Sequence, residues 1–77
     1  MKITIHSTRG RKLFSFREDA NVVEAVSETV HAFDFPPAYR YGLLLSGNTS
    51  AALDASRTLA SYNIRDGAVL FLTIISS

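Results

Sequence analysis

The chain has 77 residues, 47% of them hydrophobic, no cysteine and a formal net charge of +1. That length supports one small domain, burying about 60% of its unfolded surface, with a stability on the order of 5 kcal/mol. Disulfide staples and thiolate zinc sites are excluded, no stretch approaches the roughly 20 apolar residues of a membrane span, no signal-peptide core opens the chain, and a reducing, cytoplasmic setting is the expectation.

Lys2 to Ser7 alternates, with Ile3 and Ile5 on one face and Lys2, Thr4 and His6 on the other, the pattern of a half-buried strand. Thr8-Arg9-Gly10-Arg11 supplies a turn, Gly10 being best able to take positive φ. Lys12–Arg17 alternates again, with Phe14 and Phe16 inward and Leu13, Ser15 and Arg17 outward; a register slipped by one residue would exchange the faces. Asn21 and Glu24 form a capping-box pattern, and Val22, Val26, Val30 and Phe33 recur at helical spacing, predicting a core-facing helix over 22–33. Asp34 and Pro36-Pro37 end it. Leu43–Leu45 reads as a short buried strand, Gly47–Ala52 as a loop, Leu53 as a minor strand, and Val69–Ile75 as the central strand. The order β-β-α-β-β implies a mixed α+β sheet packed on one helix, with the first and last strands parallel at its centre.

The segment Arg57-Thr58-Leu59-Ala60-Ser61-Tyr62-Asn63-Ile64 resembles the approach to the last strand of ubiquitin. Leu43-Leu44-Leu45-Ser46-Gly47, Phe35-Pro36-Pro37 and the opening Lys2-Ile3-Thr4-Ile5-His6 agree with it, so the resemblance covers residues 35–75 and extends loosely to Met1. It implies the β-grasp, ubiquitin-like fold, as a domain standing alone or leading a longer protein. By the same resemblance Tyr62 packs and hydrogen-bonds within its loop. Asn63, a residue type that tolerates the left-handed region, is expected to adopt it before Ile64 re-enters the core.

Catalytic patterns are absent. His6 and His31 lack a nucleophile–base arrangement, Glu24 and Glu28 read as solvated helix neighbours, and there is no phosphate-binding glycine loop. Two histidines without cysteine do not suggest a metal site, so neither a cofactor nor an enzyme is expected. Charge is the informative feature: residues 1–17 carry Lys2, Arg9, Arg11, Lys12 and Arg17 with no acid, about +5, whereas residues 18–77 carry three arginines against seven acids, about −4. A focused basic patch steers acidic partners toward it.

Ubiquitin-type modifiers end in Gly-Gly, whereas this sequence ends Thr73-Ile74-Ile75-Ser76-Ser77, so conjugation is not expected. Of the apolar patch that ubiquitin receptors grasp, Leu44 matches one member, Thr73 stands at another and Thr8 lies near the third; Asn48 replaces a chain-linking lysine. Tyr41 before the third strand, the loop Gly47–Ala52 and the Asp66-Gly67 turn are instead similar to the leading subdomain of talin-type FERM heads and the N-terminal Ras-binding domain of ELMO-type scaffolds. That resemblance implies docking of a GTP-loaded Ras/Rap-type small GTPase along the second strand, through Arg9, Arg11, Lys12 and Arg17 with Ser15 as a polar rim contact. The bland account of the same cations is protection of a sheet edge. The alternative reading is an adaptor, scaffold or modifier working through Leu44 and Thr73. Anionic membrane contact is expected to be weak and nucleic-acid binding is not expected, since no aromatic platform accompanies the cations. The isolated domain should be monomeric.

Overall fold

A computed structural model describes residues 1–36, 38–45 and 52–76, with Ser76 described by its backbone alone. Lys2–Ser7 forms β1 and Gly10–Ser15 forms β2. Thr8 and Arg9 make the turn between them, and Gly10 follows at φ 107°, where any other residue would be strained. The Ser7 hydroxyl braces this turn, accepting from the Arg9 amide at 3.0 Å and donating to the Gly10 carbonyl at 3.2 Å.

The hairpin pairs Ile3 with Phe14, Thr4 with Leu13, Ile5 with Lys12 and His6 with Arg11. This is the unslipped register. Ile3, Ile5 and Phe16 are buried and Phe14 is half-buried, while Leu13, Ser15 and Arg17 are exposed. The second strand begins at Gly10 rather than Lys12, and Arg17 lies beyond its end.

Helix α1 spans Val22–Ala32, with Phe33 as its cap residue. Asn21 Oδ1 accepts from the Glu24 amide at 2.9 Å. The reciprocal bond of a capping box, from the Glu24 carboxylate, does not occur among the described residues, so one half of the expected motif forms. The buried face also differs from the valine stripe. Val22, Ala25, Thr29 and Phe33 are buried, and Val26 and Val30 are only half-buried. Small Ala25 lets the helix approach the sheet, and the Thr29 hydroxyl is satisfied by donating to the Ala25 carbonyl at 2.6 Å. A buried threonine is thereby tolerated, and the helix turns its larger valines toward the rim.

The helix ends in a Schellman motif. Asp34 adopts φ 57°, its amide donates to the His31 carbonyl at 3.1 Å, and the Phe35 amide donates to the Val30 carbonyl at 3.0 Å. The chain then returns as β3, Arg40–Leu44, and after residues 52–68 finishes as β4, Val69–Ser76. The sheet order is β2-β1-β4-β3, with β1 and β4 parallel at the centre and the other pairs antiparallel. The fold is therefore α+β, one helix on a four-stranded mixed sheet, with Ile3, Ile5, Leu43 and Leu70 on the covered face.

Leu53 does not form the expected strand. Its amide donates to the Leu43 carbonyl at 2.8 Å, an anchor that seats its side chain in the core without extending the sheet. The expected loop Gly47–Ala52, including Asn48, lies outside the described residues except for Ala52, as do Pro37, Ser46 and Ser77. Tyr62 is held within its loop, its hydroxyl accepting from the Asp54 amide at 2.8 Å. Asn63 is left-handed at φ 61°, and Ile64 re-enters the core.

Candidate interaction surface

An antiparallel ladder alternates residues that exchange both backbone bonds with residues that exchange none. In the hairpin the phase is set by Met1 and Phe16: the Phe16 amide donates to the Met1 carbonyl at 2.8 Å, and the Met1 amine to the Phe16 carbonyl at 2.7 Å. Counting inward by twos, Phe14, Lys12 and Gly10 are the bonded members of β2. Arg11, Leu13 and Ser15 therefore turn their N–H and C=O groups away from β1. The Thr4 amide, opposite Leu13, confirms the phase by donating the other way, to the Ala68 carbonyl at 3.0 Å. Because β2 is an edge strand, these three residues present an unpaired main-chain row with no covering strand among the described residues. Their side chains project together onto the sheet face opposite α1, alongside Lys2, Thr4 and His6.

The five basic-strand candidates divide between the two faces. Lys12, paired with buried Ile5, faces the helix; its Nζ donates to the Ala32 carbonyl at 2.9 Å and sits 5.4 Å from the Phe33 ring centre. Arg9 reaches the same helix end. Its Nη1 donates to the Phe33 and Asp34 carbonyls at 3.0 and 2.7 Å, and its guanidinium lies 4.7 Å from the Phe35 ring centre. These are carbonyls that the Schellman bonds leave over, at the negative pole of the helix. Arg11 and Ser15 stand on the open face, and Arg17 is exposed past the strand, paired with Asp19 at 3.0 Å. That pair is so open that it contributes little to stability.

Leu13 is the residue that sequence reasoning placed outward without giving it a role. It is 63% exposed, and its row continues through Thr4 to Val69, itself 42% exposed. Strict alternation with Phe14 and Phe16 was the signal for its outward placement.

The alternative face lies on the same open side. Leu44 pairs with Phe71, and Gly42 with Thr73, on β3 and β4; His6 stacks on Phe71 with centroids 5.2 Å apart. Leu44, Phe71 and Thr73 are half-buried. The β3 edge is less open than that of β2, because the Leu53 amide already occupies an outward carbonyl, that of Leu43. Thr8 and Thr73 line a shallow depression with Phe35 and Tyr41, and a second opens between α1 and β3 past Val26, Val30 and Tyr39.

Elsewhere the chemistry is local. Asp54 accepts from the backbone and hydroxyl of Ser56 at 2.9 and 2.8 Å, which with the nearby Arg57 charge holds its carboxyl below the usual range. Arg57 itself lies 4.3 Å from the Tyr62 ring centre and donates to the Ser61 carbonyl at 3.2 Å. Among the described residues no group of His, Asp or Glu is arranged to hold a metal ion, and no helix is long and apolar enough to cross a membrane. No protein-family model matches the chain, and no curated protein matches it.

Proposed function

We propose that the chain is a β-grasp, ubiquitin-like interaction domain without catalytic activity, which receives a GTP-loaded Ras/Rap-type small GTPase along β2. The observation that carries this reading is the unpaired row Arg11–Leu13–Ser15 on an edge strand flanked by exposed cations. A partner strand adding there gains main-chain hydrogen bonds without displacing any, and acidic side chains on it meet Arg11 and Arg17. The central parallel pair and single covering helix support the β-grasp assignment.

Arg9 and Lys12 are engaged with the helix end, so their part is to raise the local positive potential and hold the hairpin rigid. Arg11 and Arg17 make the contacts. Each such rim charge contributes about 1 kcal/mol, acting largely on encounter rate and partner choice. A second reading, an adaptor gripping the open face at Leu44 and Thr73, is favoured by the exposed apolar row that adjoins it.

Calorimetric titration against Ras and Rap proteins separates the two. The GTPase reading expects binding of the GTP-analogue form over the GDP form, weakened about tenfold or more by the double reversal Arg11→Glu/Arg17→Glu. Equal affinity for both nucleotide forms, or loss on Leu44→Glu with retention on the double reversal, would refute it in favour of the adaptor.

A further inference from the structure

Among the described residues the hydroxyls of two exposed serines, Ser15 on the β2 edge and Ser27 on α1, have no hydrogen-bond partner, and of these Ser15 stands among the cations. The Ser7, Ser56 and Ser61 hydroxyls each donate to a carbonyl or carboxylate, at 3.2, 2.8 and 2.7 Å, whereas the Ser15 hydroxyl has no partner among the described residues. It projects from an edge strand whose backbone at this residue is also unpaired. Its direct cross-strand neighbour is Lys2, on the same face. Side chains opposed in this way start about 5 Å apart at Cβ. Arg17, two residues on, is exposed, and Arg11 and Leu13 lie upstream on the same side. Extended backbone, a free hydroxyl and flanking arginines read from one side make a substrate for a protein kinase with an acidic peptide groove.

We propose that Ser15 is a phosphorylation site, and that the phosphate is held by Lys2 and Arg17. The Ser15 Oγ attacks the γ-phosphorus of a nucleoside triphosphate bound to the kinase; the new O–P bond forms as the bond to the β–γ bridging oxygen breaks. The hydroxyl proton passes to the kinase base, and the nucleoside diphosphate leaves. The group adds a charge of about −1.5 to −2 with three strong acceptor oxygens. It draws Arg17 from Asp19, an exposed ion pair with little to lose, and meets the Lys2 ammonium across the ladder. Asp66, which accepts from the Lys2 backbone amide, stays bound there and leaves the Lys2 side chain free to move. The fold therefore survives the modification while the basic edge is neutralised. Resting on the GTPase reading, the consequence is an off-switch: the phosphate repels the acidic strand that β2 would otherwise receive.

The test treats the intact folded chain with a basophilic kinase and maps the phosphate by mass spectrometry, with Ser15→Ala as the control for site. Phosphorus NMR then titrates the product, and calorimetry compares its GTPase affinity with that of the untreated chain. The expected result is one phosphate on Ser15 and a second ionisation below that of a free phosphoserine, rising toward it in Lys2→Ala and Arg17→Ala. GTPase affinity should fall at least tenfold and recover on phosphatase treatment. Failure of the folded chain to accept phosphate at Ser15, an unshifted ionisation, or undiminished affinity of the phosphorylated chain overturns the inference. If the untreated chain binds no GTPase, the function proposed above fails instead, and the mass map and phosphorus titration still decide whether Ser15 is the site.

Discussion

Proline placed at adjacent positions of β2 should have opposite consequences, because the ladder phase gives neighbouring amides different partners. The Lys12 amide belongs to a bonded pair with Ile5, a residue with no exposed surface. Lys12→Pro deletes that donor, losing about 1 kcal/mol of net hydrogen bonding and leaving the Ile5 carbonyl unpaired at a further 1–3 kcal/mol. A total of about 2–4 kcal/mol is most of the stability of a domain this small. The Leu13 amide points outward, so Leu13→Pro removes no ladder bond and asks only that φ move toward about −65°. Since Lys12 also bonds the Ala32 carbonyl, each proline is compared with alanine at the same position, which isolates the amide. Urea unfolding should then give a proline-minus-alanine penalty at least about 2 kcal/mol larger at Lys12 than at Leu13. Leu13→Pro should stay folded yet lose partner binding, having lost the central donor of the docking edge. Equal penalties at the two positions would refute the phase, and with it the outward row.

Other outcomes follow from the helix end and the loops. Arg9→Ala should cost about 1–2 kcal/mol in urea unfolding, because two carbonyls and the Phe35 ring lose their cation, and the loss should shrink as salt is raised. Asp34→Gly should stabilise the chain by about 0.5–1 kcal/mol, since φ 57° strains an aspartate but not a glycine; destabilisation would indicate an unrecognised role for the carboxylate. Gly42→Ala should destabilise by about 1–3 kcal/mol. A Cβ there would stand 2.5 Å from Ile75 Cδ1, which is exposed and can swing away, and 2.9 Å from Ala52 Cβ, which cannot. Asp54 has its carboxyl depressed by Ser56 and Arg57, so its stabilising effect is complete above the unfolded carboxylate range and disappears as pH falls through the folded value. Asp54→Asn should accordingly flatten the acid limb of a thermal-unfolding profile below about pH 4.

Local pattern carried β1, β2 and β4, whereas the third strand, expected as buried Leu43–Leu45, runs from Arg40 to Leu44 and leaves Leu45 exposed. Alternation at Ile3, Ile5, Phe14 and Phe16 suffices to orient the hairpin, and the apolar run at Val69–Ile75 marks the extent of β4 but not its faces, since Leu70 is buried while Val69, Ile74 and Ile75 are exposed. The helix was legible in extent but not in rotation. Two stripes fit its period, and the winning one, through Ala25 and Thr29, depends on how closely the helix seats on the sheet. Long-range electrostatics were not legible either. Arg9 and Lys12 read as free cations because nothing local signals that, more than twenty positions away for Arg9, the last carbonyls of α1 await donors. Leu53 read as strand for a similar reason: one leucine cannot reveal whether its amide makes a ladder or a single anchor.

Amide hydrogen exchange of the free and GTPase-bound chain, resolved by NMR at each β2 residue, tests the central claim most directly. The account expects Arg11, Leu13 and Ser15 to exchange rapidly in the free chain while Lys12 and Phe14 are protected. Adding the GTP-analogue form, but not the GDP form, should then protect all three outward amides. Unchanged exchange at those amides, with protection appearing at Leu44 and Thr73 or in both nucleotide states alike, would contradict docking along β2.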